Sequence, residues 1–179
     1  MNTYKEVQGD LIQMALNRKF DVITHGCNCF CTMGAGIAPK MAKEFGCNNF
    51  KMELSGKGDI NKLGQIDFNK YYKRTDGTLF IDSDNYIDLH GGEEPYLIVV
   101  NAYTQYKYGS NHTDGVKKPL DYEALTLCMR KINHIFAGKH IGLPGLIGCG
   151  LAGGKEEIVK EIIKKELKDC DVTIVYLNK

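Results

Sequence analysis

Apolar residues recur along the chain in two patterns, one typical of amphipathic helices and one typical of buried strands. Helical stripes, with apolar positions three or four residues apart, occupy residues 37–45, 125–136 and 158–167. Between them lie short apolar runs suited to buried strands, namely Asp21–Cys27, Tyr96–Ala102, His140–Leu143 and Asp171–Leu177. The alternation of such strands with helices predicts an α/β fold whose sheet is mixed but parallel in its centre.

Residues 56–94 interrupt this alternation. Asp76-Gly77 stands between two strand-like runs, Phe68–Tyr72 and Thr78–Ile81, and this dipeptide is typical of a hairpin turn. The segment is therefore interpreted as a hairpin-like antiparallel insertion or as an edge of the same sheet. Neither repeats nor low-complexity linkers occur, so residues 1–179 are predicted to form a single domain.

Charge and composition exclude several classes of partner. The net charge is +1, from 23 basic and 22 acidic residues, which argues against binding of long nucleic acid. No apolar stretch approaches the roughly 20 residues that span a bilayer, and the amino terminus lacks the apolar region of a signal peptide. Seven cysteines in such a chain are expected to be reduced thiols, so we expect a cytoplasmic protein with no membrane association.

Two groups of residues superficially resemble metal sites. Cys27, Cys29 and Cys31 are spaced too closely for the usual zinc pairs, and no second cysteine cluster follows. The acidic residues at positions 82, 84, 88 and 93 loosely resemble a calcium loop, but Ile87 stands where that loop requires glycine. We therefore expect buried thiols and a solvated acidic edge, with no metal and no cofactor.

Two glycine-rich turns carry the most informative chemistry. The first glycine loop, residues 33–38, and the second glycine loop, residues 148–154, each lie between an apolar run and an amphipathic helix. Glycine allows backbone N–H groups to approach a ligand, and the helix that follows adds the positive end of its dipole. One such loop hints at anion binding, and two indicate a ligand with two phosphates held from both sides.

The glycine loops also allow other interpretations, either as other nucleotide-binding motifs or as ordinary turns. Gly148, Gly150 and Gly153 satisfy the pattern G-x-G-x-x-G, which would indicate a nicotinamide-dependent oxidoreductase. However, the run Asp171–Leu177 ends without the acidic residue that such a site needs, and Pro39 stands where a third glycine would fall in the first loop. No phosphate-binding G-x-x-x-x-G-K-[ST] motif occurs. Ordinary turns without a ligand are a reasonable interpretation of either loop alone.

Three polar residues at strand ends are candidates for recognition or catalysis. Asp10 can cap the helix that begins at Leu11, and its carboxylate could also accept a hydrogen bond from the exocyclic amine of adenine. Asn28 offers a donor and an acceptor suited to a ribose diol. His25 could act as acid, base or nucleophile, although a lone histidine in an apolar strand is also typical of a core position.

In order and spacing, these segments resemble the macro domain family, which binds ADP-ribose. The matching runs are Val7–Leu11, His25–Asn28 with residues 33–38, and Leu143-Pro144 with residues 147–151. The resemblance implies a three-layer α/β/α fold, with adenine at Asp10 and the distal ribose at Asn28. The remaining residues that it places at the ligand are Leu11, Gly34, Ala35, Gly36, Ile37, Gly148, Cys149, Gly150, Leu151, Ala152, and Tyr176 or its neighbour Leu177.

Two hydrolytic branches of that family share these motifs. The run His25–Asn28 is similar to ADP-ribose 1''-phosphate phosphatases, which implies removal of the terminal phosphate without metal, with His25 and Asn28 as the catalytic pair. The second glycine loop also resembles glycohydrolases that remove ADP-ribose from modified macromolecules. Ala152 and Gln105 stand where that branch carries an acid and a lysine, and Tyr96 stands where the phosphatases carry an acid. A non-catalytic ADP-ribose-binding module is the further alternative.

Overall fold

Seven strands of the chain form one sheet, seen in a computed structural model that describes residues 2–50, 56–82, 87, 92–108, 120–145, 147 and 153–177. The strands are β1 (Tyr4–Gln8), β2 (Val22–Asn28), β3 (Ile66–Lys73), β4 (Leu79–Ile81), β5 (Leu97–Gln105), β6 (His140–Pro144) and β7 (Asp171–Tyr176). The α-helices are α1 (Leu11–Leu16), α2 (Ala38–Phe45), α3 (Tyr122–Ile135) and α4 (Glu156–Glu166), and a 3-10 helix covers Ile60–Lys62.

The sheet is mixed, and its spatial order is β1-β7-β6-β2-β5-β3-β4. The five strands from β1 to β5 in this order pair in parallel, whereas β3 pairs antiparallel with both β5 and β4. Parallel neighbours require crossover connections, and helices supply them along the chain. The prediction of an α/β fold with a mixed, centrally parallel sheet is confirmed.

The antiparallel pair β3–β4 lies at one edge of the sheet. Tyr72 pairs with Phe80, and the Asp76-Gly77 turn closes the hairpin as the sequence predicts. The backbone N–H of Thr78 donates to Asp76 Oδ1 at 2.9 Å, and Gly77 has a φ of 89°, which is a conformation that favours glycine. The sequence allowed either an antiparallel insertion or an edge of the same sheet, and β3 and β4 form an edge of the main sheet.

Helices cover both faces of the sheet and create two cores. Along β5, Ile98 and Val100 face α3 and α4, whereas Leu97 and Val99 face α1 and α2. Side chains alternate across a strand, and strands that are buried on both faces therefore form continuous apolar runs. The result is a three-layer α/β/α arrangement. None of the helices in the described ranges is long and apolar enough to cross a bilayer.

The carboxyl ends of the parallel strands meet at one edge of this arrangement. Gln8 pairs with Tyr176 at the ends of β1 and β7, and Pro144 pairs with Val175 at the ends of β6 and β7. In open α/β sheets, ligands bind beyond such strand ends, because the loops that follow converge there. The fold therefore brings the β1–α1 corner and the β6 and β7 ends together.

Candidate functional site

A cavity of about 210 Å³ opens at the carboxyl ends of β1, β6 and β7, and we call it the strand-end cavity. Four separate parts of the chain line it, each adjacent to a strand end or a helix start. Its lining residues are Gly9, Asp10, Leu11, Ile12, Gly36, Ile37, Lys40, Pro144, Gly145, Val175 and Leu177. The structure thus brings together five residues that the sequence nominated from three distant segments, namely Asp10, Leu11, Gly36, Ile37 and Leu177.

A second hollow, of about 330 Å³, lies elsewhere in the molecule, between β3, the end of α3 and residues 92–95. Its lining includes Phe68, Ile98 and Phe136 but none of the residues that the sequence nominated as a site. Ile98 lies near the amino end of β5, so this hollow is not at the strand ends where α/β proteins bind ligands. The larger volume therefore does not make it the better candidate.

Asp10 caps helix α1 with one carboxylate oxygen. Asp10 Oδ1 accepts hydrogen bonds from the backbone N–H of Ile12 at 2.9 Å and of Gln13 at 3.1 Å. Within the described part of the chain, the second oxygen, Oδ2, accepts none. Because Asp10 also lines the strand-end cavity, this oxygen is available to a donor on a ligand there.

The end of β7 presents alternate side chains to opposite faces of the sheet. The Tyr176 ring packs behind the strand ends, where a Cβ on Gly145 would lie 2.5 Å from it, and its hydroxyl donates to Glu156 Oε1 at 2.7 Å. Leu177 lines the strand-end cavity instead and is 61% exposed. Of the two candidates at this strand end, the structure therefore places Leu177 at the cavity and Tyr176 against α4.

The first glycine loop is open to solvent and leads directly into α2. Gly34, Ala35 and Gly36 are exposed, and a Cβ on either glycine would meet nothing within 4 Å. Gly36 has a φ of 64°, a left-handed conformation that favours glycine. Ile37, at the N-cap of α2, provides no side-chain cap, and Pro39 in the first turn has no N–H. The remaining N–H groups of that turn and the positive end of the helix dipole are left to a ligand or to water.

The second glycine loop is described only at its flanks. Gly148, Cys149, Gly150, Leu151 and Ala152 lie outside the described residues, so their assignment as phosphate ligands stays a sequence-based prediction. The flanking residue Ile147 is buried in the core shared with α3 and α4.

His25 lies on β2 with its ring completely buried. Its Nε2 is 2.7 Å from Asn101 Oδ1. The amide nitrogen of Asn101 donates to Asp67 Oδ1 at 2.8 Å and to the Cys47 carbonyl at 2.9 Å. Asn101 Oδ1 is therefore the acceptor, and His25 Nε2 carries the proton. Burial lowers the pKa of His25 to about 4, although the bond to Asn101 opposes this shift, so the ring is neutral near pH 7.

His25 belongs to a buried polar network that also contains Asp67, Tyr103 and two thiols. Tyr103 donates to Asp67 Oδ2 at 2.6 Å, and two thiols lie close to His25 Nε2, Cys27 Sγ at 3.8 Å and Cys47 Sγ at 3.9 Å. Burial raises the pKa of Cys47 to about 12 and that of Cys27 well above its usual value, so both are uncharged. Nε2 is paired, but His25 Nδ1 is buried without a hydrogen-bond partner among the residues that the structure describes. Because the ring is enclosed in the core and does not line the strand-end cavity, this geometry gives no support to His25 as a nucleophile.

Asn28 is engaged within its own loop. Its amide nitrogen donates to the Thr32 carbonyl at 3.1 Å and to Thr32 Oγ1 at 2.8 Å. Its Oδ1 accepts from the backbone N–H of Phe30 at 3.0 Å and of Thr32 at 3.3 Å. A carboxamide has two donor and two acceptor positions, and all four are filled here. Asn28 therefore shapes the turn that leads into the first glycine loop, and in this structure it presents no free group to a ribose.

Sequence reasoning missed several residues that line the cavity. Ile12, Lys40, Gly145 and Val175 contribute to it without belonging to a motif. Lys40 lies one turn beyond the nominated Ile37 in α2, a signal that helical spacing could have provided, and Ile12 directly follows the nominated Leu11. Gly145 and Val175 carry no such signal, because only the pairing of β6 with β7 brings them to the site. In the ranges that the structure describes, no three His, Cys, Asp or Glu side chains are grouped to hold a metal ion.

Comparison with known proteins gives one match in sequence and many in fold. No protein-family model matches the chain. An uncharacterized 17.5 kDa protein from the tk-vs intergenic region of Enterobacteria phage T4 is 29% identical over 176 residues, which cover 96% of this chain and 94% of that protein. The likeness spans nearly the whole of both chains, but the relative carries no assigned activity.

Solved structures identify the fold. The macrodomain of Thermus aquaticus DarG matches with a TM-score of 0.58 and 17% identity, covering 100% of this chain and 99% of that one. Thermosipho africanus DarTG, solved in complex with ADP-ribose, matches with a TM-score of 0.64 and 19% identity, covering 99% of this chain and 42% of that one. These likenesses confirm the fold that the sequence motifs imply, and this chain is a macro domain in its fold.

Proposed function

We propose that this chain binds ADP-ribose, with the nucleoside end of the ligand in the strand-end cavity. The observation that carries this proposal is the composition of the cavity wall. Both the Asp10 carboxylate and the uncapped amino terminus of α2 belong to it. A carboxylate suits an exocyclic amine, and a helix amino terminus suits a phosphate. The DarTG complex supports this choice, because a protein of the same fold was solved with ADP-ribose.

The volume of the cavity matches one part of such a ligand. Whole-ligand pockets commonly measure roughly 300–1,000 Å³, and the strand-end cavity measures about 210 Å³. We therefore assign the adenosine portion to the cavity and the pyrophosphate to the open first glycine loop beside it. Residues 148–152 are the proposed second support of the pyrophosphate, as the sequence pattern predicts.

Purine recognition is assigned to Asp10 and its apolar neighbours. The free Oδ2 of Asp10 accepts the hydrogen bond from the adenine amine, while Leu11, Val175 and Leu177 supply apolar surface for the ring. Lys40 adds a positive charge at the cavity that favours an anionic ligand.

Binding, rather than turnover, is the function that the described residues support best. Hydrolysis of ADP-ribose 1''-phosphate is the second candidate, and it is favoured by the resemblance of the run His25–Asn28 to the phosphatases. The proposed catalytic roles require a His25 ring and an Asn28 carboxamide that reach the ligand. Both groups are instead buried and hydrogen-bonded within the protein.

Calorimetric titration with ADP-ribose, adenosine and ribose 5-phosphate tests the binding proposal. We expect ADP-ribose to bind most tightly and adenosine to bind more weakly at the same site, so that prior saturation with adenosine weakens the ADP-ribose isotherm. Absence of any ADP-ribose isotherm would contradict the proposal.

A phosphate-release assay with ADP-ribose 1''-phosphate separates the two candidates. We expect the wild-type protein to release no more phosphate than a blank without protein. Release that is abolished in His25→Gln, while ADP-ribose affinity stays unchanged, would instead establish the phosphatase.

A further inference from the structure

Lys62 is a fully buried lysine at the end of the 3-10 helix. Its ammonium donates to the Gly56 carbonyl and lies 3.5 Å from the Cys29 carbonyl. In the described ranges no carboxylate pairs with it. An ammonium that is removed from water and held by carbonyl dipoles is an unfavourable arrangement, and an apolar side chain of similar size is often neutral or better for stability at such a position. Stability alone therefore does not account for lysine here.

The contacts of Lys62 join two segments that are distant in sequence. The Cys29 carbonyl also accepts from the backbone N–H of Gly58 at 2.8 Å, and the Cys29 N–H donates to the Tyr106 carbonyl at 3.0 Å. Residues 56–62 and the end of β5 therefore both hold Cys29. We call this set of contacts the Lys62 brace.

Aromatic packing closes the brace around Phe30. A Cβ on Gly58 would lie 2.8 Å from the Phe30 ring, so the two segments are in direct contact there. The Phe30 ring also packs edge-on against Tyr106, with centroids 5.3 Å apart, and the Tyr106 hydroxyl donates to the Gly58 carbonyl at 2.8 Å. Contacts from Gly58 and Tyr106 therefore restrict the position of the Phe30 ring.

The braced residues lead directly into the first glycine loop. Asn28 fixes the turn 28–32 from within, and the next residue, Met33, begins the first glycine loop. Cys31 within this turn has a φ of 59°, an uncommon conformation for a residue other than glycine, which surrounding contacts must hold in place. A movement of Cys29 would therefore be transmitted to the backbone N–H groups of residues 34–37.

We propose that Lys62 is a positioning residue for the ligand's phosphates, acting through the Cys29 carbonyl on the first glycine loop. This inference rests on the proposed binding of ADP-ribose. It assigns Gly56, Gly58 and the Lys62 side chain the role of holding the phosphate-binding backbone in shape, although none of them lines the strand-end cavity. This role explains why position 62 carries a lysine, because an apolar side chain could not hold the Cys29 and Gly56 carbonyls together.

Lys62→Met, compared with Lys57→Met, tests the proposal. Lys57 is exposed in the same segment, so its replacement makes the same change in net charge without touching the brace. We expect Lys62→Met to weaken ADP-ribose about tenfold, the equivalent of one good hydrogen bond. Adenosine, which has no phosphate, should stay within about twofold of wild type, because its affinity depends on Asp10. Lys57→Met should leave both affinities at the wild-type values.

Hydrogen exchange provides a readout that needs no ligand. In Lys62→Met, the amides of Cys29 and Gly58 should exchange faster than in wild type, whereas amides in the centre of β5 should not change. If Lys62→Met does not fold, Lys62→Gln is measured in the same way. Its uncharged amide donor ends one atom nearer the backbone and cannot hold both carbonyls, so it should show the same selective loss for ADP-ribose.

Two results would contradict the proposed role of Lys62, and a third would contradict the proposed binding of ADP-ribose. Equal loss of adenosine and ADP-ribose affinity would make Lys62 merely structural, and unchanged ADP-ribose affinity with unchanged exchange would show that no brace acts on the loop. Failure of the wild-type protein to bind ADP-ribose would overturn the proposed function instead. In that case the exchange rates of Cys29 and Gly58 alone decide whether the brace exists.

Discussion

Replacing Asp10 with asparagine separates the two roles assigned to its carboxylate. Oδ1 caps α1 through the N–H groups of Ile12 and Gln13, and the proposed role of Oδ2 is to accept the adenine amine. Asparagine caps helices about as well as aspartate, but it places an NH₂ group where Oδ2 was. Asp10→Ala removes both roles and serves as the comparison.

The expected magnitudes follow from these contacts. Loss of an N-cap side chain costs about 1 kcal/mol, so Asp10→Ala should lower the melting temperature by roughly 2–4 °C in a chain of this size. Asp10→Asn should leave it nearly unchanged. A hydrogen bond to a charged acceptor contributes about 1.5–3 kcal/mol, so both variants should bind ADP-ribose roughly 10- to 150-fold more weakly than wild type.

Thermal denaturation and calorimetric titration measure the two effects separately. A hypoxanthine analogue of ADP-ribose sharpens the test, because it carries a carbonyl acceptor where adenine carries its amine. Wild type should prefer the adenine ligand, since the Asp10 carboxylate would face that carbonyl. Asp10→Asn should lose this preference or reverse it, because its NH₂ group can donate to the carbonyl.

Unchanged ADP-ribose affinity in Asp10→Asn would refute the assignment of Asp10 as the purine reader. An equal loss of melting temperature in Asp10→Asn and Asp10→Ala would show that asparagine does not preserve the cap, and the affinity loss could then not be attributed to the adenine contact.

Three further predictions address the loop, the buried histidine and the strand ends. Ile37→Asp places a carboxylate at the amino terminus of α2 and should bind ADP-ribose about five- to tenfold more weakly than Ile37→Asn, with equal adenosine affinity, in parallel titrations. Burial lowers the pKa of His25 from 6.5 to about 4, so only the unfolded chain takes up this proton between those pH values. The free energy of unfolding in urea should fall by about 3 kcal/mol as pH drops through that window, and His25→Gln should flatten the slope. Gly145→Ala places a Cβ 2.5 Å from the Tyr176 ring, and Gly142→Ala places one 2.8 Å from the Phe20 ring. Both should destabilise by about 1–3 kcal/mol, and only Gly145→Ala should also lower adenosine affinity.

Each of these comparisons has a result that contradicts it. Equal ADP-ribose affinity of the two Ile37 variants would show that the α2 amino terminus does not face the phosphates. A stability profile whose slope is the same in His25→Gln as in wild type would mean that His25 does not stay neutral in the fold. Loss of adenosine affinity in Gly142→Ala as large as in Gly145→Ala would trace the effect to the fold rather than to the cavity.

Much of this fold could be predicted from the sequence because the signals are local. The 3.6-residue stripes predicted helices that the structure has, and the Asp76-Gly77 turn predicted the β3–β4 hairpin. Asp10 and the glycines of residues 33–38 were found in the same way, because capping and left-handed backbone are set by a few neighbouring residues. Strand ends were less well located: β5 runs to Gln105, three residues beyond the predicted Ala102.

Only the tertiary structure decided which way side chains point and what covers them. The sequence made His25 and Asn28 candidates for catalysis, yet the His25 ring lies in a core network with Asn101, and the Asn28 carboxamide is hydrogen-bonded within its own turn. Leu177 rather than Tyr176 reaches the strand-end cavity, because the period of two along a strand sends neighbours to opposite faces. The Lys62 brace joins residues far apart in sequence, and such contacts arise from the packing of segments, which no local pattern records.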